Sequence, residues 1–130
     1  MATQISIEEL KKAVQTLEEA LQFAEASKAN ITQYKIIRDA CIQRYEYCIE
    51  LAWKVSVKKL GSDVKYPKQA IREMARADLI SSAEIWLDFI EARNNSSHSY
   101  DEDVATKVFQ QILLFHTKAK DLISQLQKLP

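Results

Sequence analysis

The sequence predicts an all-α protein, an antiparallel bundle of five helices in a single domain spanning residues 1–130. Three observations lead to this prediction. The 130-residue chain contains one glycine and two prolines, a scarcity that long helices tolerate and sheets with tight turns do not. Its apolar residues recur at helical spacings of three and four. Three of its serines stand three residues before a glutamate, which is the pattern of a helix-capping box.

The first helix is predicted to begin at Ser6, where Glu9 completes a capping box, and to end at the polar break of residues 27–30. Its apolar residues alternate between spacings of three and four, which gives a narrow stripe suited to packing along one other helix. This stripe contains Ile7, Leu10, Val14, Leu17, Leu21 and Ala24.

The second helix is predicted over residues 32–60, with Gly61 where a glycine commonly ends a helix. It is about 40 Å long, which exceeds what a compact monomer of this size needs. Its apolar residues form two neighbouring stripes, so the helix is buried on more than one side, and we expect it to contribute to a homodimer interface. The first stripe contains Ile37, Cys41, Tyr45, Cys48, Ala52 and Val55, and the second contains Ile42, Ile49 and Trp53.

Local signals predict three further helices. Pro67 marks the first turn of a short third helix. Capping boxes at residues 81–84 and 99–102 open the fourth and fifth helices, and the fourth ends near Asn94 and Asn95. The apolar residues predicted to face the core on these helices include Ile71, Met74, Trp86, Phe89, Val108, Ile112, Phe115 and Leu122.

The charge distribution excludes a generally basic nucleic-acid surface, because 18 basic residues balance 18 acidic ones. The charges are nevertheless uneven: residues 54–76 carry a net charge of +5, and residues 77–103 a net charge of −6. The two segments can pair within one chain, between subunits or with a partner, or they can be two solvated helix faces. Because Gly61 is the only glycine, a Gly-rich phosphate-binding loop is also excluded.

The cysteines and the N-terminus bear on the cellular compartment. Cys41 and Cys48 are seven residues apart on one helix, about 10 Å along its axis, which is too far for a disulfide. With few other ligand residues available, we expect buried thiols in a reducing cytoplasm and no metal site. No apolar run approaches membrane-spanning length, and the N-terminus lacks the features of a signal peptide. We therefore expect a soluble cytoplasmic protein.

The chemistry of the chain is concentrated in Arg93-Asn94-Asn95-Ser96-Ser97-His98-Ser99-Tyr100, beside the turn between the last two helices. An arginine can hold a phosphate in a bidentate fork, and a histidine can exchange a proton near neutral pH. Arg93 and His98 are therefore candidate catalytic residues for phosphate-ester chemistry, and Asn94 and Asn95 are weaker candidates for substrate contacts. A structural interpretation stays open, because an arginine or histidine near a helix end can simply satisfy backbone groups.

The same stretch resembles the R-x4-H-x-Y motif of the HEPN superfamily. More narrowly, the chain resembles the toxin subunit of HEPN/nucleotidyltransferase toxin–antitoxin pairs, also known as nucleotidyltransferase substrate-binding proteins. Residues 44–54 in the long helix and residues 84–88 leading into the motif resemble the same family. Together with the helical layout, the resemblance covers nearly the whole chain.

The resemblance implies a homodimer whose two motifs meet across a cleft and cut RNA without a metal or cofactor. His98 would remove the proton from a ribose 2′-hydroxyl or protonate the departing 5′-oxygen, and Arg93 would stabilise the negatively charged phosphorane. In related type VII-like pairs, the cognate minimal nucleotidyltransferase is the antitoxin and transfers AMP to the motif tyrosine, here Tyr100. The added phosphate would block and repel the substrate near His98.

The surroundings of the motif leave other functions open. Acidic residues 101–103 weaken nonspecific RNA binding, so we expect cations of the 54–76 segment, in the same chain or in a second copy, to supply phosphate contacts. The protein can instead be a non-catalytic subunit that presents a nucleotide or substrate to the nucleotidyltransferase, with Arg93 and His98 as ligand contacts. A plain helical dimerisation or scaffold subunit is the third interpretation.

Overall fold

The computed structural model describes residues 5–130, which form five α-helices and one short 3₁₀ turn. The helices are α1 (Ile7–Ala26), α2 (Ile31–Lys59), α3 (Pro67–Arg76), α4 (Ala83–Asn95) and α5 (Glu102–Gln127), and the 3₁₀ turn (Ser96–His98) follows α4. This part of the chain contains no β-strand, so the predicted all-α class and the five helices are confirmed.

Most helix ends lie where the local signals predict them. The Ser6 hydroxyl accepts a hydrogen bond from the Glu9 backbone N–H at 3.1 Å, which caps α1. Gly61 follows α2 with a φ of +68°, a left-handed conformation that favours glycine. Pro67 is the first residue of α3, where its missing N–H leaves no helical hydrogen bond unmade.

Two predicted helix caps are wrong. Ser82 caps α4 in place of Ser81, because Ser82 has an extended backbone and its hydroxyl accepts from the N–H three residues later at 3.2 Å. Ser99 does not cap α5, because the 3₁₀ turn leaves its backbone in a helical conformation. Asp101 caps α5 instead, and its carboxylate accepts hydrogen bonds from the backbone N–H groups of Asp103 and Val104, at 2.9 and 3.2 Å.

Helix α2 lies at the centre of the fold and packs against the other four helices. Both of its predicted apolar stripes face the interior of a single chain. In the second stripe, Ile42, Ile49 and Trp53 are 3%, 0% and 5% exposed. The width of the apolar arc is therefore explained without a second copy, and the expectation of a homodimer must rest on other observations.

Four aromatic rings join α2, α4 and α5 close to the end of α4. Phe115 makes edge-to-face contacts with Tyr45, Trp86 and Phe89, at centroid distances of 5.1, 5.7 and 5.4 Å. The Tyr45 hydroxyl donates a hydrogen bond to the Phe89 carbonyl, and burial raises the pKa of this tyrosine. Because Phe89 lies about one helical turn before Arg93, the cluster fixes the last turn of α4 against α2.

The two cysteines are part of the core. Cys41 and Cys48 are buried free thiols, as predicted. Burial raises the pKa of Cys41 to about 11 and that of Cys48 to about 12. Both thiols are therefore protonated at neutral pH and are poor nucleophiles.

The oppositely charged segments meet within one chain. Lys68 of α3 lies 3.5 Å from the carboxylate of Glu91 in α4, and both side chains are about half exposed. An exposed pair of this kind contributes little to stability, so the segments are mainly solvated surfaces.

None of the helices between residues 5 and 130 is long and apolar enough to cross a membrane.

A cluster of charged groups between α1 and α5 makes stability depend on pH. Lys120 and His116 both approach the Glu18 carboxylate, at 3.0 and 3.5 Å. Burial, and then the charge of Lys120, lowers the pKa of His116 below its usual 6.5. As the pH falls, His116 therefore takes up a proton in the unfolded chain before it does so in the folded chain. The stability contributed by the neutral ring is present above pH 6.5 and is lost as the pH falls below it.

We expect the melting temperature to fall by a few degrees between about pH 7 and about pH 5. The variant His116→Gln should lose most of this dependence, because glutamine does not titrate. Hydrogen bonds from Lys120 and Arg38 lower the pKa values of Glu18 and Glu102. The stability linked to these carboxylates is lost only as the pH falls below the unfolded value of 4.5, so it does not interfere in this range. Calorimetry across this range measures the effect, and an equal slope in both proteins would contradict it.

Candidate active site

The motif occupies the turn between α4 and α5. Arg93 lies in the last turn of α4, His98 ends the 3₁₀ turn, and Tyr100 stands immediately before the Asp101 cap. Serine hydroxyls stabilise this turn by donating hydrogen bonds to backbone carbonyl groups three residues earlier. The Ser96 hydroxyl donates to the Arg93 carbonyl at 2.7 Å, which holds the 3₁₀ turn against the end of α4.

Arg93 is held against the long helix. Its Nη1 lies 3.4 Å from Oε2 of Glu46, a residue of α2. The Ser96 hydroxyl contacts the same oxygen and shares its single proton between this carboxylate and the Arg93 carbonyl. The side chains of Arg93 and Glu46 are 35% and 30% exposed. The guanidinium is thus anchored on one side and still open to a ligand on another. Within residues 5–130, its Nε–H is buried with no acceptor.

His98 faces the solvent beside Tyr100. Its Nδ1 lies 3.5 Å from the Tyr100 hydroxyl, and the two rings are in an edge-to-face arrangement with centroids 6.0 Å apart. Tyr100 is 84% exposed. The contact through Nδ1 leaves the other ring nitrogen of His98 free to exchange a proton with a substrate.

The structure brings together some of the predicted site residues and separates others. His98 and Tyr100 are in contact, whereas no hydrogen bond joins Arg93 to His98 anywhere in the described chain. Asn94 and Asn95 are exposed, and Asn95 lines a groove of about 400 Å³ between α4 and α5. The stretch between Arg93 and His98 is not exposed throughout, because Ser96 is 3% exposed and hydrogen-bonded to Glu46.

A second ion pair fixes the far end of the motif. Arg38 of α2 donates to both carboxylate oxygens of Glu102, at 3.1 and 2.7 Å, and its side chain is 7% exposed. The hydrogen bond from Arg38 lowers the pKa of Glu102. Because Glu102 is the first residue of α5, this pair ties the turn that carries His98 and Tyr100 to α2.

Sequence reasoning missed Glu46 and assigned Glu102 to a capping box. A signal for Glu46 exists, since it is a carboxylate between the core residue Tyr45 and the buried residues Cys48 and Ile49. An acidic residue in such a setting usually has a cationic partner. The partner itself lies 47 residues away and cannot be read from local spacing.

Comparison with known proteins establishes the family. The family model described as "Nucleotidyltransferase substrate binding protein like" matches residues 5–128. The chain belongs to this family. The resemblance drawn from the motif and from the two flanking segments is thereby confirmed.

Relatives of this family agree with the fold. The chain is 31% identical over 107 residues to a Haemophilus influenzae protein named "Probable ribonuclease HepT", covering 76% of this chain and 73% of that protein. A solved H. influenzae structure, described as the fold of a substrate binding domain of a nucleotidyltransferase, has a TM-score of 0.81 at 26% identity and covers 94% of this chain and 99% of its own. A Thermus thermophilus structure has a TM-score of 0.77 at 26% identity and covers 92% and 99%.

In this family member, Glu46→Gln is expected to slow any reaction that depends on Arg93 by about tenfold, because the anchor of the guanidinium loses its charge. Substrate affinity and folding should change little, since a half-exposed ion pair is worth about 1 kcal/mol or less. The measurement compares the single-turnover rate and the substrate Kd with those of Glu50→Gln, a neighbouring carboxylate that pairs with Lys54. Equal rates in the two variants would show that Glu46 does not position Arg93.

Proposed function

We propose that this protein is a metal-independent endoribonuclease of the HEPN type, the toxin of a type VII-like toxin–antitoxin pair. The observation that carries the proposal is the placement of a solvent-facing His98 five residues after an anchored, partly open Arg93, at the end of α4 and in the turn that follows it. The name of the H. influenzae relative, "Probable ribonuclease HepT", supports the same activity.

The reaction uses the ribose 2′-hydroxyl as the nucleophile. His98 removes the hydroxyl proton as the 2′-oxygen bonds to phosphorus, and Arg93 stabilises the negative charge of the phosphorane. The bond to the 5′-oxygen then breaks, and that oxygen leaves with a proton, which gives a 2′,3′-cyclic phosphate and a 5′-hydroxyl. The motif provides one histidine in each chain, which suits one of the two proton transfers, so the His98 of a second copy supplies the other.

The outward face of α2 supports the homodimer in this proposal. Ile36, Ala40, Gln43 and Tyr47 follow the alternating four-and-three spacing of a helix–helix seam. Ile36 and Tyr47 are 66% and 49% exposed, although both are large apolar side chains. Tyr47 adjoins Glu46, the residue that anchors Arg93, so a second copy on this face lies next to the motif.

Tyr100 is the site of regulation in this proposal. Its phenolic oxygen attacks the α-phosphorus of ATP in the cognate minimal nucleotidyltransferase, and pyrophosphate leaves. Tyr100 is 84% exposed, and its hydroxyl lies 3.5 Å from Nδ1 of His98. An adenylate on this hydroxyl therefore adds bulk and negative charge beside His98, the residue that transfers the proton. The modified protein would then repel and exclude the RNA backbone.

We expect Tyr100→Phe to keep cleavage within about tenfold of the wild type, because the lost hydroxyl contributes only a 3.5 Å contact to His98. The variant should, however, resist neutralisation by the cognate nucleotidyltransferase and ATP. Intact-mass analysis and a cleavage assay after incubation with both test this. An adenylate still found on the variant would place the modification on another residue.

A second candidate function is a non-catalytic subunit that binds a nucleotide for the nucleotidyltransferase. The absence of a hydrogen bond between Arg93 and His98 in the described chain favours it, as does the family description as a substrate binding protein. In that case Arg93→Ala weakens nucleotide binding, and no RNA is cut.

Cleavage of RNA in EDTA distinguishes the two functions. Protein shown by intact mass to carry no adenylate is compared with His98→Ala, in which an exposed side chain is removed without disturbing the core. Cleavage by the wild type and none by the variant is the expected result. Equal cleavage by both indicates a contaminant, and no cleavage by either contradicts the nuclease and favours the binding subunit.

A further inference from the structure

A groove of about 270 Å³ lies between α1, α2 and α5, and it does not include the motif residues. Three helices contribute to it, so it is wider than an ordinary seam between two helices. Its apolar lining residues are Leu21, Tyr34, Phe109 and Leu113, and its charged ones are Glu25, Lys28 and Arg38.

The apolar part of the groove suits a flat aromatic ligand. Tyr34 and Phe109 meet edge to face, with centroids 6.0 Å apart, and both rings are only half-buried. Leu113 is 49% exposed beside them. An edge-to-face pair leaves ring surface on which a nucleobase can stack, and such stacking tolerates any base.

The charged part of the groove suits a phosphate. The Lys28 side chain is 63% exposed and contacts Glu25 at 2.8 Å, an exposed pair that solvent or a ligand readily replaces. Arg38 is 6% exposed, and its Nε–H has no acceptor among the described residues even though its other nitrogens bind Glu102. The Arg38 Nε–H is itself buried, and the charge of this guanidinium is already paired with Glu102. The exposed Lys28 is therefore the cation that a phosphate in the groove can contact directly, with Arg38 beside it.

We propose that this groove binds one nucleotide of a single-stranded RNA. The base stacks on Tyr34 and Phe109, and the phosphate lies by Lys28 and Arg38. The inference rests on the proposed nuclease function and adds to it a substrate contact outside the motif. Phe109 is seven residues along α5 from Glu102, about 10 Å, so a short segment of one strand can reach both the groove and the motif.

Two neighbouring leucines of α5 provide a matched test. Leu113 lines the groove and is 49% exposed, whereas Leu114 is 41% exposed and does not line it. Each is replaced by glutamate in the non-cleaving His98→Ala protein, and the Kd for a fluorescein-labelled single-stranded RNA is measured in EDTA. Leu113→Glu is expected to weaken binding about tenfold or more, and Leu114→Glu to change it less than about twofold.

Salt dependence tests the phosphate contact. Lys28→Gln is expected to lower the slope of log K against log salt concentration by about 0.7, the value for one phosphate contact on a single strand. Lys12→Gln, an exposed lysine of α1 that does not line the groove, should leave the slope unchanged.

Several results would overturn the inference. The first is equal affinity of Leu113→Glu and Leu114→Glu for the RNA. The second is tight binding of free AMP by a protein that does not bind RNA. The third is a loss of dimers, measured by sedimentation, in Leu113→Glu alone. The last result would make the groove an interface between copies. RNA binding is measured without cleavage, so it tests the proposed groove by itself. If the proposed nuclease function is wrong, the wild-type protein leaves its RNA substrate uncut.

Discussion

Replacing Arg93 with alanine is expected to lower the single-turnover rate of RNA cleavage by about two to three orders of magnitude. In the proposed reaction this guanidinium stabilises the negative charge that develops on the phosphorane. Arg93→Lys should restore little of the rate, because a lysine lacks the planar fork that contacts the Glu46 carboxylate and a phosphate at once.

The matched control is Arg72→Ala, which removes an exposed arginine of α3 from the basic segment. Its cleavage rate should stay close to that of the wild type, while its RNA affinity falls slightly at low salt. Circular dichroism confirms that each variant is folded. If folded Arg93→Ala cleaves as fast as the wild type, Arg93 only completes the ion pair with Glu46 and takes no part in the chemistry.

Removing the carboxylate of Glu102 is expected to have the largest effect on stability. The Arg38 side chain is 7% exposed, so Glu102→Ala leaves a buried guanidinium without its bidentate partner. We expect the melting temperature to fall by several degrees, because the buried guanidinium keeps its charge and loses its partner. Because Glu102 opens α5, the turn with His98 should also become more mobile and cleavage slower.

The reverse deletion should be milder. Arg38→Met leaves Glu102, which is 55% exposed, in contact with water and with Lys35 at 3.6 Å. The methionine fills the buried volume, and replacing a buried ion by an apolar group of similar size is often close to neutral. Urea denaturation of both variants and of the double variant measures the asymmetry. Equal losses from Arg38→Met and Glu102→Ala would contradict it.

The helices of this fold are predictable because local signals define them. Ser6, Gly61 and Pro67 act through backbone groups within a few residues, so their effects can be read from sequence. The wrong cap at Ser99 has a long-range cause: its supposed partner Glu102 instead binds Arg38, 64 residues earlier in the chain. The short 3₁₀ turn then leaves Asp101 as the first residue with an extended backbone.

The motif was evident from its residue types, but its surroundings were not. Arginine, histidine and tyrosine in one short run made this stretch a candidate site for phosphate chemistry. The orientation of Arg93 depends on Glu46 in a different helix, and only the packing of α4 on α2 brings the two together. Packing within one chain also buries the second apolar stripe of α2, although the width of the apolar arc had led us to expect a homodimer interface.

The products of cleavage test the central claim most directly. Unmodified protein is incubated in EDTA with an RNA oligonucleotide and with the same oligonucleotide carrying a 2′-deoxyribose at the cut site, and the ends are identified by mass spectrometry. The account predicts a 2′,3′-cyclic phosphate and a 5′-hydroxyl from the first, no cut at the modified position in the second, and neither product from His98→Ala. A cut at the deoxyribose, or a 5′-phosphate end, would contradict attack by the 2′-hydroxyl and the role given to His98.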